Sequence, residues 1–259
     1  MHYDYLKFIT AKSVIDTISW DDTTPTKFHI MDRKTGKIVN TISSSDGAWF
    51  VYHVLNAFEN SDGNIVLDFS KYQNDTLITY GMYLENIIDN PRQYVPTYEQ
   101  ARLTRCIVNP QAGTSDCGSV IDKTFEMGTF NWEYKHMKPY QYAWGASFKD
   151  ANLPWKHGES DFIDQIIKVD LVQNATVASW SRQGFFVCEP LFQQRPGAEQ
   201  EDDGVLLFVG FDSSKEESWL FFLNGTTLEE IASAPMEGRL AANFHGKWWP
   251  EGKDYVIGL

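Results

Sequence analysis

Basic residues are scarce in this chain. Lys and Arg together number 22 against 35 Asp and Glu, a formal charge of −13 over 259 residues. That balance repels phosphate backbones and excludes nucleic acid as an expected partner. Long apolar runs are missing as well. Nothing approaches the roughly 18 consecutive apolar residues of a membrane-crossing helix, so no transmembrane segment is expected. The opening residues 1–14 lack the continuous apolar stretch of a signal peptide. Cysteine is rare: Cys106, Cys117 and Cys188 form no C-x-x-C pair. This argues against a disulfide framework and for a reducing, cytoplasmic setting. No G-x-S-x-G, H-E-x-x-H or P-loop is present, which removes the nucleophile-elbow, zinc-peptidase and NTPase readings.

What the chain does have is aromatic residues, at 15%, arranged in short extended runs. Residues 48–68 hold two apolar runs around the turn Asn60-Ser61-Asp62-Gly63-Asn64, a hairpin pattern. Residues 27–32 and 38–42 flank a second turn. Strand patterns follow at 102–108, 162–171, 176–181, 184–192, 205–211, 218–224 and 244–249, with extended aromatic segments at 124–134 and 140–147. Residues 113–122 read as a polar loop. A helix is indicated only around Met82–Ile88. Regular spacing of short strands means an all-β protein, and sandwich, barrel and propeller all fit the pattern. Meandering hairpins favour propeller blades, with no internal domain boundary over residues 1–259.

Two histidines stand apart from the rest. His53 follows the aromatic run Trp49-Phe50-Val51-Tyr52, and His245 lies between Phe244 and Gly246. Either alone reads as a core histidine; together, far apart in sequence, they suggest one shared site. His29 alternates within a hairpin, His157 lies in a polar loop, His2 is terminal and His136 follows Lys135, and all four read as structural or solvated. Glu126 (between Phe125 and Met127) and Glu189 (between Cys188 and Pro190) are carboxylates in apolar company. Each is a strand-edge group facing water or needs a buried partner, and a metal-bound imidazole is such a partner. The acidic run 199–203 lacks EF-hand spacing and reads as a solvated loop.

Several segments together resemble the carotenoid cleavage oxygenases, the animal branch above all. Phe50 to Glu59 is similar to F-x-x-H-x-x-N-A-x-E. Phe125-Glu126 with residues 138–145 is similar to F-E-F-P…G-K-P-Y-R-Y-A-Y-G. Residues 189–192, 195–199 and 201–207 resemble S-E-P-x-F-x-P-R-P-G-A-x-E-E-D-D-G-V-L-L, and Phe244-His245-Gly246 resembles the closing F-H-G. These occur in the family's order along nearly the whole chain.

The resemblance implies a partial seven-bladed β-propeller formed of C-terminal blades, with non-haem Fe(II) as cofactor. It makes His53 and His245 metal ligands, with Glu126 and, more weakly, Glu189 orienting the ligand imidazoles. It implies a carotenoid or retinoid substrate and O2, cleaved to carbonyl products. A retinoid isomerohydrolase and a metal-free carotenoid- or retinoid-binding propeller fragment are the alternatives. Trp49, Phe50, Phe130, Trp132, Tyr142 and Trp144 become candidates for tunnel lining or blade core. Residues 5–9 correspond to a membrane-facing region in relatives, implying at most peripheral membrane contact. The match covers only a C-terminal half, without the segments that carry two further histidines. The 259-residue chain alone is therefore expected to be an incomplete, inactive fragment. Where the family often has a glutamate before its R-R-Y strand, this chain has Gln100, so that contact is either lost or supplied by Glu99.

Overall fold

The computed structural model describes residues 2–3, 17–77, 100–149, 163–240 and 245–248. The readings at Tyr5–Ile9, Met82–Ile88, Glu99, His157 and Phe244 fall outside them. Nearly every regular element among the described residues is a strand. Two pairs come first: β1 (His2–Tyr3) with β2 (Ile18–Ser19), and β3 (Lys27–Met31) with β4 (Ile38–Ser43). A four-stranded antiparallel meander follows, β5 (Phe50–Glu59), β6 (Ile65–Tyr72), β7 (Arg102–Asn109) and β8 (Thr114–Thr124). The next is β9 (Glu126–Phe130), β10 (Tyr142–Ser147), β11 (Gln165–Asp170) and β12 (Ala175–Ser181). In the last sheet β13 (Phe185–Val187) and β14 (Leu191–Gln194) share one edge against β15 (Gly204–Asp212), followed by β16 (Glu217–Asn224) and β17 (Glu230–Pro235). Successive antiparallel meanders packed face to face are blades of a propeller. The fold is all-β, a partial propeller.

The core lies between blades. Leu55, Leu103, Phe125, Phe130, Ile167 and Val169 fill the space between the first two four-stranded sheets. Trp144, Ile166, Phe185, Leu206, Phe208 and Phe221 fill the next. This explains why β11 is buried at every residue: both of its faces are covered. At one side the edge strands β5, β9 and β14 of consecutive sheets pack against one another.

Four readings change. Residues 113–122 are largely β8, not a loop, because an outer strand with mostly exposed or half-exposed positions can be polar. The extended reading of 124–134 ends at Phe130, where a short helix α1 (Trp132–Lys135) begins. Residues 245–248 carry no strand. Cys106 and Cys117 are opposed on β7 and β8, their Cα atoms 4.1 Å apart, and form a disulfide. Sequence spacing hid that pair, since only the hairpin register makes residues directly opposite. It removes the cysteine argument for a reducing compartment.

Candidate metal centre

His53, Glu126 and Glu189 all come from irregularities in the converging edge strands. β5 slips register twice against β6, between Val51 and Val54 and again between Val54 and Asn56. Bulges of this kind re-aim side chains. Here His53 sits within the first slip, and neighbouring Val54 is left 62% exposed. β9 slips between its pairings with Trp144 and Ala146, and Met127 takes φ +49° there. That kink follows Glu126 directly, and the Glu126 carboxylate turns back to accept the Met127 N–H at 2.7 Å. Glu189 lies in the break between β13 and β14, where Pro190 can donate no ladder bond.

Phe125 anchors the Glu126 bend from behind. Its ring is 1% exposed and lies over two glycines. A Cβ on Gly145 or on Gly128 would come within 2.5 Å of that ring. Glycine at both places creates the hollow that seats it.

The two histidines meet. Their ring centres are 5.1 Å apart, edge to face at 81°. Each presents Nδ1 to its own carboxylate: His53 to Glu126 Oε2 at 2.5 Å, His245 to Glu189 Oε1 at 3.0 Å. Glu189 also accepts the Gly246 N–H at 2.8 Å, fixing the backbone beside the ring it orients. A carboxylate accepts only, so Nδ1 is the donor in each pair, and Nε2 keeps its lone pair in the neutral ring. The Glu126 hydrogen bond raises the His53 pKa above the ordinary imidazole value, against an opposing push from burial. Burial, with the Glu126 charge behind it, also raises the Tyr52 hydroxyl.

This donor set fits a divalent transition metal. Neutral imidazole whose other ring nitrogen is held by a carboxylate is a common ligand arrangement. Two imidazoles on one ion, at metal–nitrogen distances of about 2.1 Å, have ring centres roughly 4.5–5.3 Å apart. Among the described residues no group of three or more His, Cys, Asp and Glu is placed to hold a metal.

The remaining candidates fall elsewhere. His29 bonds Thr41 Oγ1, and His136 stacks on Trp132 at 3.9 Å. Trp49, Phe130 and Trp144 are blade core, and the Tyr142 ring covers the Lys168 ammonium at 4.2 Å; Trp132 is 59% exposed. Of the proposed lining only Phe50 belongs beside the imidazoles, in a cluster with Tyr52 and Tyr72. The acidic run is a loop leading into β15 in which Glu199 and Gln200 are exposed, but the three acids after them are engaged. Glu201 accepts the Gln141 and Tyr142 N–H groups at 2.8 Å each, and Asp202 neutralises buried Lys168. Asp203 pairs with Arg195. Composition suggested water; the cation that compensates Asp202 lies 34 residues away in sequence. Asp68, buried and held by Arg105 on β7 and by Tyr140 just before β10, was equally illegible, because both partners are distant in sequence.

The family model described as retinal pigment epithelial membrane protein matches residues 1–250. A carotenoid dioxygenase of Neurospora crassa is 28% identical over 93% of this chain and 43% of its own length. The β,β-carotene 15,15'-dioxygenase of Mus musculus is 27% identical over 96% of this chain and 47% of its own length. Among solved structures, a Synechocystis apocarotenoid oxygenase variant superposes with a TM-score of 0.79 at 23% identity, covering 95% of this chain and 49% of that one. A cobalt-substituted form of the Synechocystis protein gives a TM-score of 0.75 at 24% identity, covering 90% and 46%. The chain spans about half the length of the curated relatives it matches. By its family match and the blades that carry it, the chain belongs to the retinal pigment epithelial membrane protein family, to which the carotenoid dioxygenases are related.

Proposed function

We propose that this chain contributes two imidazole ligands, His53 and His245, to the non-haem Fe(II) centre of a carotenoid-cleaving dioxygenase. Residues 1–259 are then the C-terminal part of a single propeller domain. The observation that carries the reading is the pair of imidazoles 5.1 Å apart, each with Nδ1 on a separate carboxylate. The names of the relatives supply the substrate class, a carotenoid or apocarotenoid, with O2 as co-substrate. Iron, when bound, supplies the activation of O2 that cleavage of a polyene double bond requires.

The protein's own part is orientation. Glu126 and Glu189 keep Nδ1 protonated and aim each Nε2 inward. The rings of Phe50, Tyr52 and Tyr72 offer an apolar border against which a polyene can lie. Among the described residues no helix is long and apolar enough to cross a membrane. A lipid-soluble substrate makes peripheral contact with a bilayer surface part of this reading.

Fe(II) titration of the purified 259-residue chain tests the ligand pair. Weak binding is expected from two imidazoles, and His53→Ala or His245→Ala should each remove it. Binding that survives both substitutions overturns the assignment. Carotenoid turnover under labelled O2 tests the reaction, since cleavage incorporates the label and retinyl-ester isomerohydrolysis does not. Stoichiometric iron with turnover by the chain alone would refute the two-ligand contribution.

A further inference from the structure

Glu126 has three donors and two oxygens. His53 Nδ1 and the Met127 N–H share Oε2, at 2.5 and 2.7 Å, and the Tyr72 hydroxyl donates to Oε1 at 2.7 Å. Tyr72 ends β6 in the same sheet as His53, whereas Glu126 opens β9 in the next. Two side chains of one blade thus grip one carboxylate of its neighbour, from different oxygens.

The Tyr72 phenol is itself held in place. It is 6% exposed, and its ring meets Tyr52 edge-on at 6.1 Å and Phe50 at a tilt, also at 6.1 Å. A phenol hydroxyl fixed by its ring sets the rotation of the carboxylate it donates to. With Oε1 pinned, Oε2 points at His53 and the imidazole plane is determined. Without that bond the carboxylate can turn about its terminal torsion, which is broad and roughly two-fold. Among the described residues the Tyr72 hydroxyl is the partner of Oε1.

We propose that Tyr72 is a positioning residue for the His53 imidazole, acting through Glu126. It does not touch the metal site; it fixes the direction in which the Glu126 carboxylate meets His53 Nδ1 and so favours the Nδ1-protonated form of the neutral ring. Its consequence for metal binding rests on the proposed iron centre, and its geometry does not.

The test uses the metal-free 259-residue chain and nitrogen NMR of its imidazoles, at a pH raised until the His53 signals stop shifting, because Glu126 lifts its pKa above the ordinary histidine value. In the wild type, His53 should show one tautomer, protonated at Nδ1. In Tyr72→Phe both His53 ring nitrogens should move toward the tautomeric average while those of His245 stay unchanged. A ring-fluorinated tyrosine at 72, isosteric and a stronger donor, should move the His53 Nδ1 proton without disturbing the fold. Fe(II) affinity should fall about tenfold in Tyr72→Phe, the lower end for loss of an outer partner. The same substitution should add nothing in a Glu126→Gln background, the sign of action through one shared group. Unchanged His53 resonances in either folded Tyr72 variant overturn the proposal, as does an equal loss of affinity with and without Glu126→Gln. The expected His53 pattern in a chain that binds no Fe(II) leaves Tyr72 in this role and removes the iron centre instead.

Discussion

The two histidine–glutamate couples are alike in chemistry and unlike in support. His53 is 26% exposed and its glutamate 16%, and Glu126 is gripped by Tyr72 and by its own following amide. His245 is 63% exposed, and its partner Glu189, at 17%, adds only the Gly246 amide. One couple is built between packed blades on bulged strands. The other pairs a residue outside regular structure with a strand break. The difference shows that orientation and burial are separate achievements: a carboxylate can aim an imidazole that water still reaches, but only enclosure makes the pairing strong.

Metal affinity should separate the couples most. Glu126→Gln is expected to weaken Fe(II) binding by about 10–100-fold, and Glu189→Gln by about tenfold or less, since solvent can replace its bond to His245. Parallel titrations that find equal losses would erase the distinction. Stability comes next. Glu126→Ala leaves the Tyr72 hydroxyl and the Met127 N–H without their carboxylate and should cost about 1–3 kcal/mol. Glu189→Ala should cost about 1 kcal/mol or less, as an exposed pair does. Urea unfolding of the two variants measures the gap, and a larger loss for Glu189→Ala would invert the ranking.

The smallest effect concerns pH. The hydrogen bond to Glu126 raises the His53 pKa above the ordinary imidazole value of about 6.5. A raised folded value means that the ion pair's contribution is fully present below about pH 6.5 and is lost as pH rises through the folded value. Metal binding runs the other way, because the ligand must be deprotonated. Unfolding free energy followed from about pH 6 to 8 should therefore fall more in the wild type than in His53→Gln. Identical slopes would deny His53 any part in it.

Much of this was legible before the fold was known. Alternation and turn residues mark the β3–β4, β5–β6, β11–β12 and β15–β16 hairpins, and each appears close to its expected place. The same reading named all four members of the two couples, because a histidine or glutamate among aromatics stands out against its neighbours. Failures came where a residue's role depends on a remote partner. Asp202 looks solvated until Lys168 is seen beneath it, and Cys106 looks solitary until Cys117 stands opposite. Trp144 looks like lining until Phe192 is found stacked on it at 4.2 Å.

The sequence by itself determined most of the strands, their hairpin pairing and the chemical types at the candidate centre, since period-two patterning and turn chemistry act over a few residues. Only the tertiary structure decided convergence: the slips in β5 and β9, the glycine hollow beneath Phe125, and the edge strands that carry His53, Glu126 and Glu189 toward His245. The physical reason is range. A bulge or an opposed pair follows from how two distant strands register on one another, and that register is set by packing between blades.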